Sequence, residues 1–333
     1  MSCPTVQSPR TDALRLGGLI VVGIILLLFC VLSGPSGFGV PALSTPVGRA
    51  ILSLRLNRIA AGLVVGAALS CAGVIFQALL RNPLAEPYIL GVSSGAGLGA
   101  ACAILTGLGA AVTFLLLPVA AFIGALIALL VVLAVAGGTR ASVYNLILSG
   151  VIVSALASSI LMFLITTASH EALHDVIWWM LGNLQPTSHV QLIITAIAVL
   201  IGVVIAWLIA PQLDAMTLGS EVAHHIGIRT GWMTALGLVL GSLLAAAAVS
   251  LAGLIGFVGL VVPHVMRSLL GPTHRRLIPS TAIAGGIFLA VCDAVARTLL
   301  APREIPVGVL TALCGGPFFL AILKLRGRKG WIE

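Results

Sequence analysis

Charge is what this sequence has least of. Only 8% of its 333 residues are Asp, Glu, Lys or Arg, against roughly a quarter in a water-soluble domain. Such a chain cannot cover a globule with polar surface, which excludes a soluble enzyme, and its apolar content excludes a disordered chain. Lysine is scarcest: there are two, Lys324 and Lys329, and neither follows a glycine. A phosphate-cradling GxxxxGK[ST] loop is therefore missing, so any ATP has to be held by another polypeptide. The six cysteines form no CxxC pair, and all but Cys3 lie inside apolar runs. They read as small packing residues rather than a disulfide framework or metal site. The alternating polar–apolar strands of a membrane β-barrel are absent too.

What is present is apolar. Hydrophobic residues make up 60% of the chain and the mean hydropathy is +1.21. Ten runs, at about 17–33, 59–80, 89–108, 112–137, 146–168, 190–210, 232–251, 253–270, 281–300 and 307–325, approach the length of a helix that crosses roughly 30 Å of hydrocarbon. The reading is an all-α, multi-pass membrane protein of about ten transmembrane helices, one membrane domain over 1–333. The seventh and eighth runs are continuous at Ala252, where Gly253, Gly256 and Gly259 are the reason to turn the chain. The first run is read as a retained anchor rather than a cleaved signal, since no small-x-small site follows it.

Arginine and lysine set the orientation. With the N-terminus inside, the inner segments hold Arg10, Arg15, Arg81, Arg140, Arg229, Arg267, Arg275, Arg276, Lys324, Arg326, Arg328 and Lys329, and the outer segments hold Arg49, Arg55, Arg58, Arg297 and Arg303. The bias of 12 to 5 among the 17 cations places both termini in the cytoplasm. The net charge of +8 is then a topology signal, not a nucleic-acid surface.

Ion-coupled carriers need ionisable groups at membrane depth. Of nine acidic residues only Asp293 lies well inside an apolar run, and Arg297, four residues on, shares its helix face. This spacing predicts an intrahelical ion pair; the alternative is a secondary transporter with Asp293 carrying a coupling proton. His170 and His174 have a ligand-like i, i+4 spacing but no third ligand beside them, and read as part of a solvated outer loop. No nucleophile–base pair is visible, so no catalytic residue is assigned.

Gly62 and Gly66, and Gly91, Gly95 and Gly99, form faces of small residues suited to close helix packing. Two stretches, RNPLAEP (81–87) and GPTHRRLIP (271–279), break the apolar sequence and read as loops at the inner face. A faint internal echo relates Gln77, Arg81 and Asn82-Pro83 to Pro263-His264, Arg267 and Gly271-Pro272, as in the duplicated halves of transporters.

Three runs carry a resemblance: GAALSCAGVIFQALLRNPLAEPYILGVSSGAG (66–97), GLIGFVGLVVPHVMRSLLGPTHRRLIP (253–279) and DAVARTLLAPREIPVGVLTALCGGPFFLAIL (293–323). They are similar to the FecCD-type permeases of binding-protein-dependent ABC importers for siderophores, haem and vitamin B12. The resemblance implies a homodimer of ten-helix protomers in the bacterial inner membrane, two ATP-binding cassette subunits, and a periplasmic substrate-binding protein. It implies no cofactor or metal in this chain, ATP and Mg being bound by the partner ATPases, and no nucleic-acid partner. It assigns binding-protein docking to Arg55 and Arg58 in LRLNR and to Arg297. It assigns an inner gate to Asn82 and Leu84 and to the turn Ser142, Val143 and Tyr144. The loop LGSEVAHHIGIRTG (218–231) is matched to the ATPase-coupling helices, a short helix bounded by Gly219 and Gly227 with Glu221, His224 and Arg229 at its rim. The family usually has proline where Asn57 stands, which implies a looser start to the second span. Among cargoes the reading puts haem first, then ferric siderophore, then cobalamin.

Overall fold

A computed structural model describes residues 9–35, 37–106, 110–138 and 142–327; Cys3, Arg140, Arg328 and Lys329 lie outside them. The described residues hold thirteen α-helices: α1 (Pro9–Leu32), α2 (Pro46–Leu79), α3 (Val92–Leu105), α4 (Ala110–Ala136), α5 (Val143–Thr166), α6 (His170–Met180), α7 (His189–Leu208), α8 (Ala210–Thr217), α9 (Ser220–His225), α10 (Thr230–Ala252), α11 (Val258–Leu270), α12 (His274–Thr298) and α13 (Val307–Gly327). A two-residue hairpin pairs β1 (Ser33–Gly34) with β2 (Gly37–Phe38). The ten apolar runs become α1–α5, α7 and α10–α13. By the cation bias, the hairpin end of the bundle is termed outer and the α9 end inner.

α2, α4, α5, α7, α10 and α12 are each long and apolar enough to cross a bilayer, while the apolar parts of α1, α3, α11 and α13 are shorter. α3 and α11, with 14 and 13 residues, rise only about 20 Å each. Irregular backbone precedes both at membrane depth, a placement tolerated only where protein surrounds it. The turn expected at Ala252 is there. Gly253 ends α10 at φ +69 and Phe257, at φ +68, precedes α11.

α2 is the axis of the molecule. At 34 residues it starts thirteen positions before its apolar run, because Thr45 Oγ1 accepts the Gly48 amide at 3.0 Å and Pro46 takes the first helical position. Its seam with α12 is built from small residues. Gly62 faces the backbone at Ala290, and Gly66 faces Gly285 so closely that neither can carry a side chain without displacement. Gly95 and Gly99 do the same against Gly124 and Ala120 of α4. The two halves of the internal echo also meet: Gly73 lies against Gly259, and Gln77 donates to the Gly259 carbonyl (3.2 Å) while accepting from Arg267 (3.0 Å). The outward faces of α5 (Val151, Leu156, Phe163) and α7 (Ile194, Ile197, Leu200) are exposed and apolar, as lipid or a partner subunit requires.

Two sequence expectations change. The stretch 271–279 is not a loop, since α12 begins at His274 and runs through Pro279. Residues 170–180, read as solvated loop, form the amphipathic helix α6. Ser169 caps it, its hydroxyl accepting from the Ala172 amide (3.3 Å), and Val176 is buried against Ala101, Ile104 and Leu161.

Candidate functional site

The outer end gathers the three arginines expected to dock a partner, and none of them is free. The early start of α2 places Arg55 and Arg58 on a helix rather than in an outer loop. Arg55 is 4% exposed. Its Nη1 donates to the carbonyls of Val31 (3.0 Å), Leu32 (3.2 Å) and Gly39 (2.9 Å). Two of these are the last carbonyls of α1, which lack partners within the helix and lie at the negative end of its dipole, so a cation belongs there.

Arg58 and Arg297 share Asp293. Arg58 donates from Nε (3.2 Å) and Nη2 (2.8 Å) to one oxygen of Asp293, and Arg297 Nε lies 3.0 Å from the other. Arg58 Nη1 turns outward to both oxygens of Glu304, at 3.0 and 2.9 Å. The expected Asp293–Arg297 pair is therefore one edge of a four-membered network joining α2, α12 and the loop before α13. Buried charges persist only when paired in this way.

Asn57 does not loosen α2. Its side chain donates to the Thr187 carbonyl (3.0 Å) and accepts from the Thr187 amide (3.1 Å), fastening the helix to the segment before α7. Beside it opens a cleft of about 690 Å³ whose lining includes Glu171, His174, Asp175, Trp178 and Trp179. His170 and His174 are on the exposed face of α6, and His174 stacks on Trp178.

Further in, the 81–91 segment meets the break between α10 and α11. Glu86 accepts the Phe257 amide (2.8 Å) at the positive N-terminus of α11, and the Tyr88 hydroxyl donates to the Ile255 carbonyl (3.0 Å). Asn82 Oδ1 accepts from the Leu84 amide (2.9 Å), holding a tight turn with Leu84 exposed. Ser142 caps α5, its hydroxyl accepting from the Asn145 amide (3.1 Å). Val143 is half-buried and Tyr144 stands 72% exposed. Gly91 lies beside Val153 and Gly97 beside Leu161, so α3 and α5 run the same way and the 142–144 turn shares the inner end with the Asn82 turn.

At the inner surface, residues 218–231 contain α9, entered through Gly219 (φ +122) and left through Gly227 (φ +90). Glu221, His224 and Arg229 are exposed around an equally exposed apolar group, Leu218, Val222 and Ile226. α8, not anticipated from the sequence, links this elbow to α12. Asp214 accepts from both the backbone amide (2.9 Å) and the ring Nδ1 of His274 (2.6 Å). The Trp207 indole donates to the Arg275 carbonyl (3.1 Å), with the Arg275 guanidinium over its ring.

Sequence reasoning passed over Glu86, Glu304, Asp214 and Thr187 as site residues. Each sits in a polar-looking connection or on a short helix, and each pairs with a residue far away in the chain. The Thr45-Pro46 cap was the one local signal that would have lengthened α2 and moved Arg55 and Arg58 onto it.

This arrangement of one long central helix, two half-length helices meeting irregular backbone, and an inner elbow matches known proteins. The FecCD transport family matches residues 19–325. The chain belongs to the FecCD transport family. Among its FecCD relatives, the cobalamin import permease BtuC of Halobacterium salinarum is 40% identical over 88% of this chain and 78% of its own length. The hemin transport permease HmuU of Yersinia pestis is 35% identical over 93% of this chain and 96% of its own. A solved metal-chelate-type ABC transporter in an inward-facing conformation superposes with a TM-score of 0.84 at 30% identity, covering 93% of this chain and 98% of that one. The FecCD chain described here is thus a multi-pass membrane protein of the ABC importer permease class.

Proposed function

We propose that this chain is the transmembrane subunit of a binding-protein-dependent importer that moves a bulky metal chelate inward across a bacterial inner membrane. The family match along almost the whole chain carries this reading. Two copies would enclose the pathway, with the exposed Tyr144 and Leu84 facing it as inner gate. Two ATPase subunits would receive α9, whose apolar centre and charged rim have the anatomy of a docking patch. Nucleotide would bias two states of the dimer. Movement at α9 would pass through α8 and the Asp214–His274 link into α12, and across the glycine seam into α2.

The outer arginines would meet acidic groups of the binding protein. Arg58 is the candidate contact, because Arg55 is occupied with the end of α1 and Arg297 is deeper. For cargo, the order is haem, then ferric siderophore, then cobalamin. The support is the pair of exposed histidines on α6 beside the outer cleft; the arginines, already paired, add nothing to that ranking.

The secondary-carrier alternative loses its footing, since a carboxylate held between two guanidinium groups and shut off from solvent is poorly placed to exchange a proton. The experiment is to purify the binding protein that supports uptake by this permease and identify the compound it retains. An iron chelate or cobalamin supports the reading, and a compound with no metal contradicts it.

A further inference from the structure

Arg58 has a layered environment. Its inner edge, Nε and Nη2, is committed to Asp293, which is 0% exposed. Its outer edge, Nη1, is covered by the carboxylate of Glu304, whose side chain is 32% exposed. Glu304 stands in the connection between α12 and α13, held by the Ile305 amide donating to the Ala296 carbonyl (3.1 Å). Glu304 thus occupies Nη1, the outward edge of a guanidinium whose side chain is only 10% exposed. The cluster is also short of anions. Among the described residues Arg58 and Arg297 share Asp293, with Glu304 on Arg58 alone, and the buried Arg297 Nη2 has no hydrogen-bond partner.

We infer that Glu304 is an internal competitor for the docking partner: its carboxylate occupies, on Arg58, the place that an acidic side chain of the binding protein takes when it docks. This rests on the docking role proposed above for Arg58. Docking is then an exchange of one charge-assisted carboxylate contact for another. An exchange of that kind lowers affinity and sharpens selection, because only a partner carboxylate presented at the right place repays the loss of Glu304. It also keeps Arg58 charge-matched whenever no partner is present, so the undocked permease does not hold an unpaired cation near the membrane surface.

The test is a double-mutant cycle. It uses the permease–ATPase complex in lipid nanodiscs and the substrate-binding protein that supports its uptake. Glu304→Gln keeps the side-chain shape and removes the competing charge. The expected result is association tightened by about threefold to fivefold, and loss of that tightening when Glu304→Gln is combined with Arg58→Gln. Unchanged or weaker association for Glu304→Gln, with Arg58→Gln weakening it, would leave docking standing and overturn the competitor. Tightening of equal size with and without Arg58 would overturn it as well, by showing a general charge effect. If neither substitution alters association, the docking role of Arg58 falls and the competitor with it. Should Arg58→Gln fail to insert, Glu304→Gln is compared with Glu171→Gln, which removes an exposed outer carboxylate that does not touch Arg58: tightening by Glu304→Gln alone upholds the inference, and no change, or equal tightening by both, refutes it.

Discussion

Arg58 and Asp293 stand 235 residues apart in sequence and meet at 2.8 Å, with the carboxylate closed off from solvent. That contact joins the outer parts of α2 and α12, the two helices that share the glycine seam. Removing one member of a buried ion pair leaves an uncompensated charge, at a cost of about 3–5 kcal/mol. Asp293→Ala strands the Arg297 guanidinium and leaves Arg58 with Glu304 alone, so it should lower thermal stability in detergent by that order. Glu304→Gln, at the partly exposed edge, should cost less than about 1 kcal/mol. Equal effects from the two substitutions would show that the network is not graded by burial.

Gly66 and Gly285 set the distance between the same two helices. Gly66→Ala pushes a methyl group into the Gly285 backbone and should destabilise by about 1–3 kcal/mol, as overpacking does. Gly17→Ala, on α1 with open space around it, should be neutral or slightly stabilising, since alanine is the better helix former. Thermal unfolding of the purified variants compares them, and a tolerant Gly66 would mean that the seam is not as close as described.

Asn57 pairs with both backbone groups of Thr187. Asn57→Ala leaves a partly buried amide and carbonyl unpartnered, at about 1–3 kcal/mol. The segment before α7 should open first, so hydrogen exchange should rise around Thr187 and not at the inner end. Uniform exchange would contradict this local role.

The apolar runs were legible in the sequence because lipid demands length and hydropathy, which are local properties. Ten of the thirteen helices follow from that, as does the turn at Gly253. α6 and α8 were not legible: α6 is short and amphipathic, and α8 follows α7 directly past Ile209, its Pro211, Gln212 and Asp214 reading as the start of a polar loop. The outer end was half legible. Asp293 and Arg297 share a helix face and so announce each other by spacing, whereas Arg58 and Glu304 reach them only through the fold. Glu86 was hidden for another reason, since RNPLAEP reads as a surface loop until the partner at Phe257 is seen.

Ile226, which ends α9, is 63% exposed, and Val222 and Leu218 in the same elbow are 45% and 70% exposed. If this patch receives the ATPase, Ile226→Asp places a charge in its apolar centre and should reduce co-purification of the ATPase by on the order of tenfold or more, with membrane insertion intact. Full retention of the ATPase would assign the coupling surface elsewhere.

The central claim is that this chain forms a conduit energised by other subunits. The direct measurement is cargo uptake into proteoliposomes containing the permease and the binding protein, with and without the ATPase subunits and ATP. The account predicts accumulation against a gradient only when both ATPase and ATP are present. Uphill transport by the permease alone, abolished by Asp293→Asn, would contradict it.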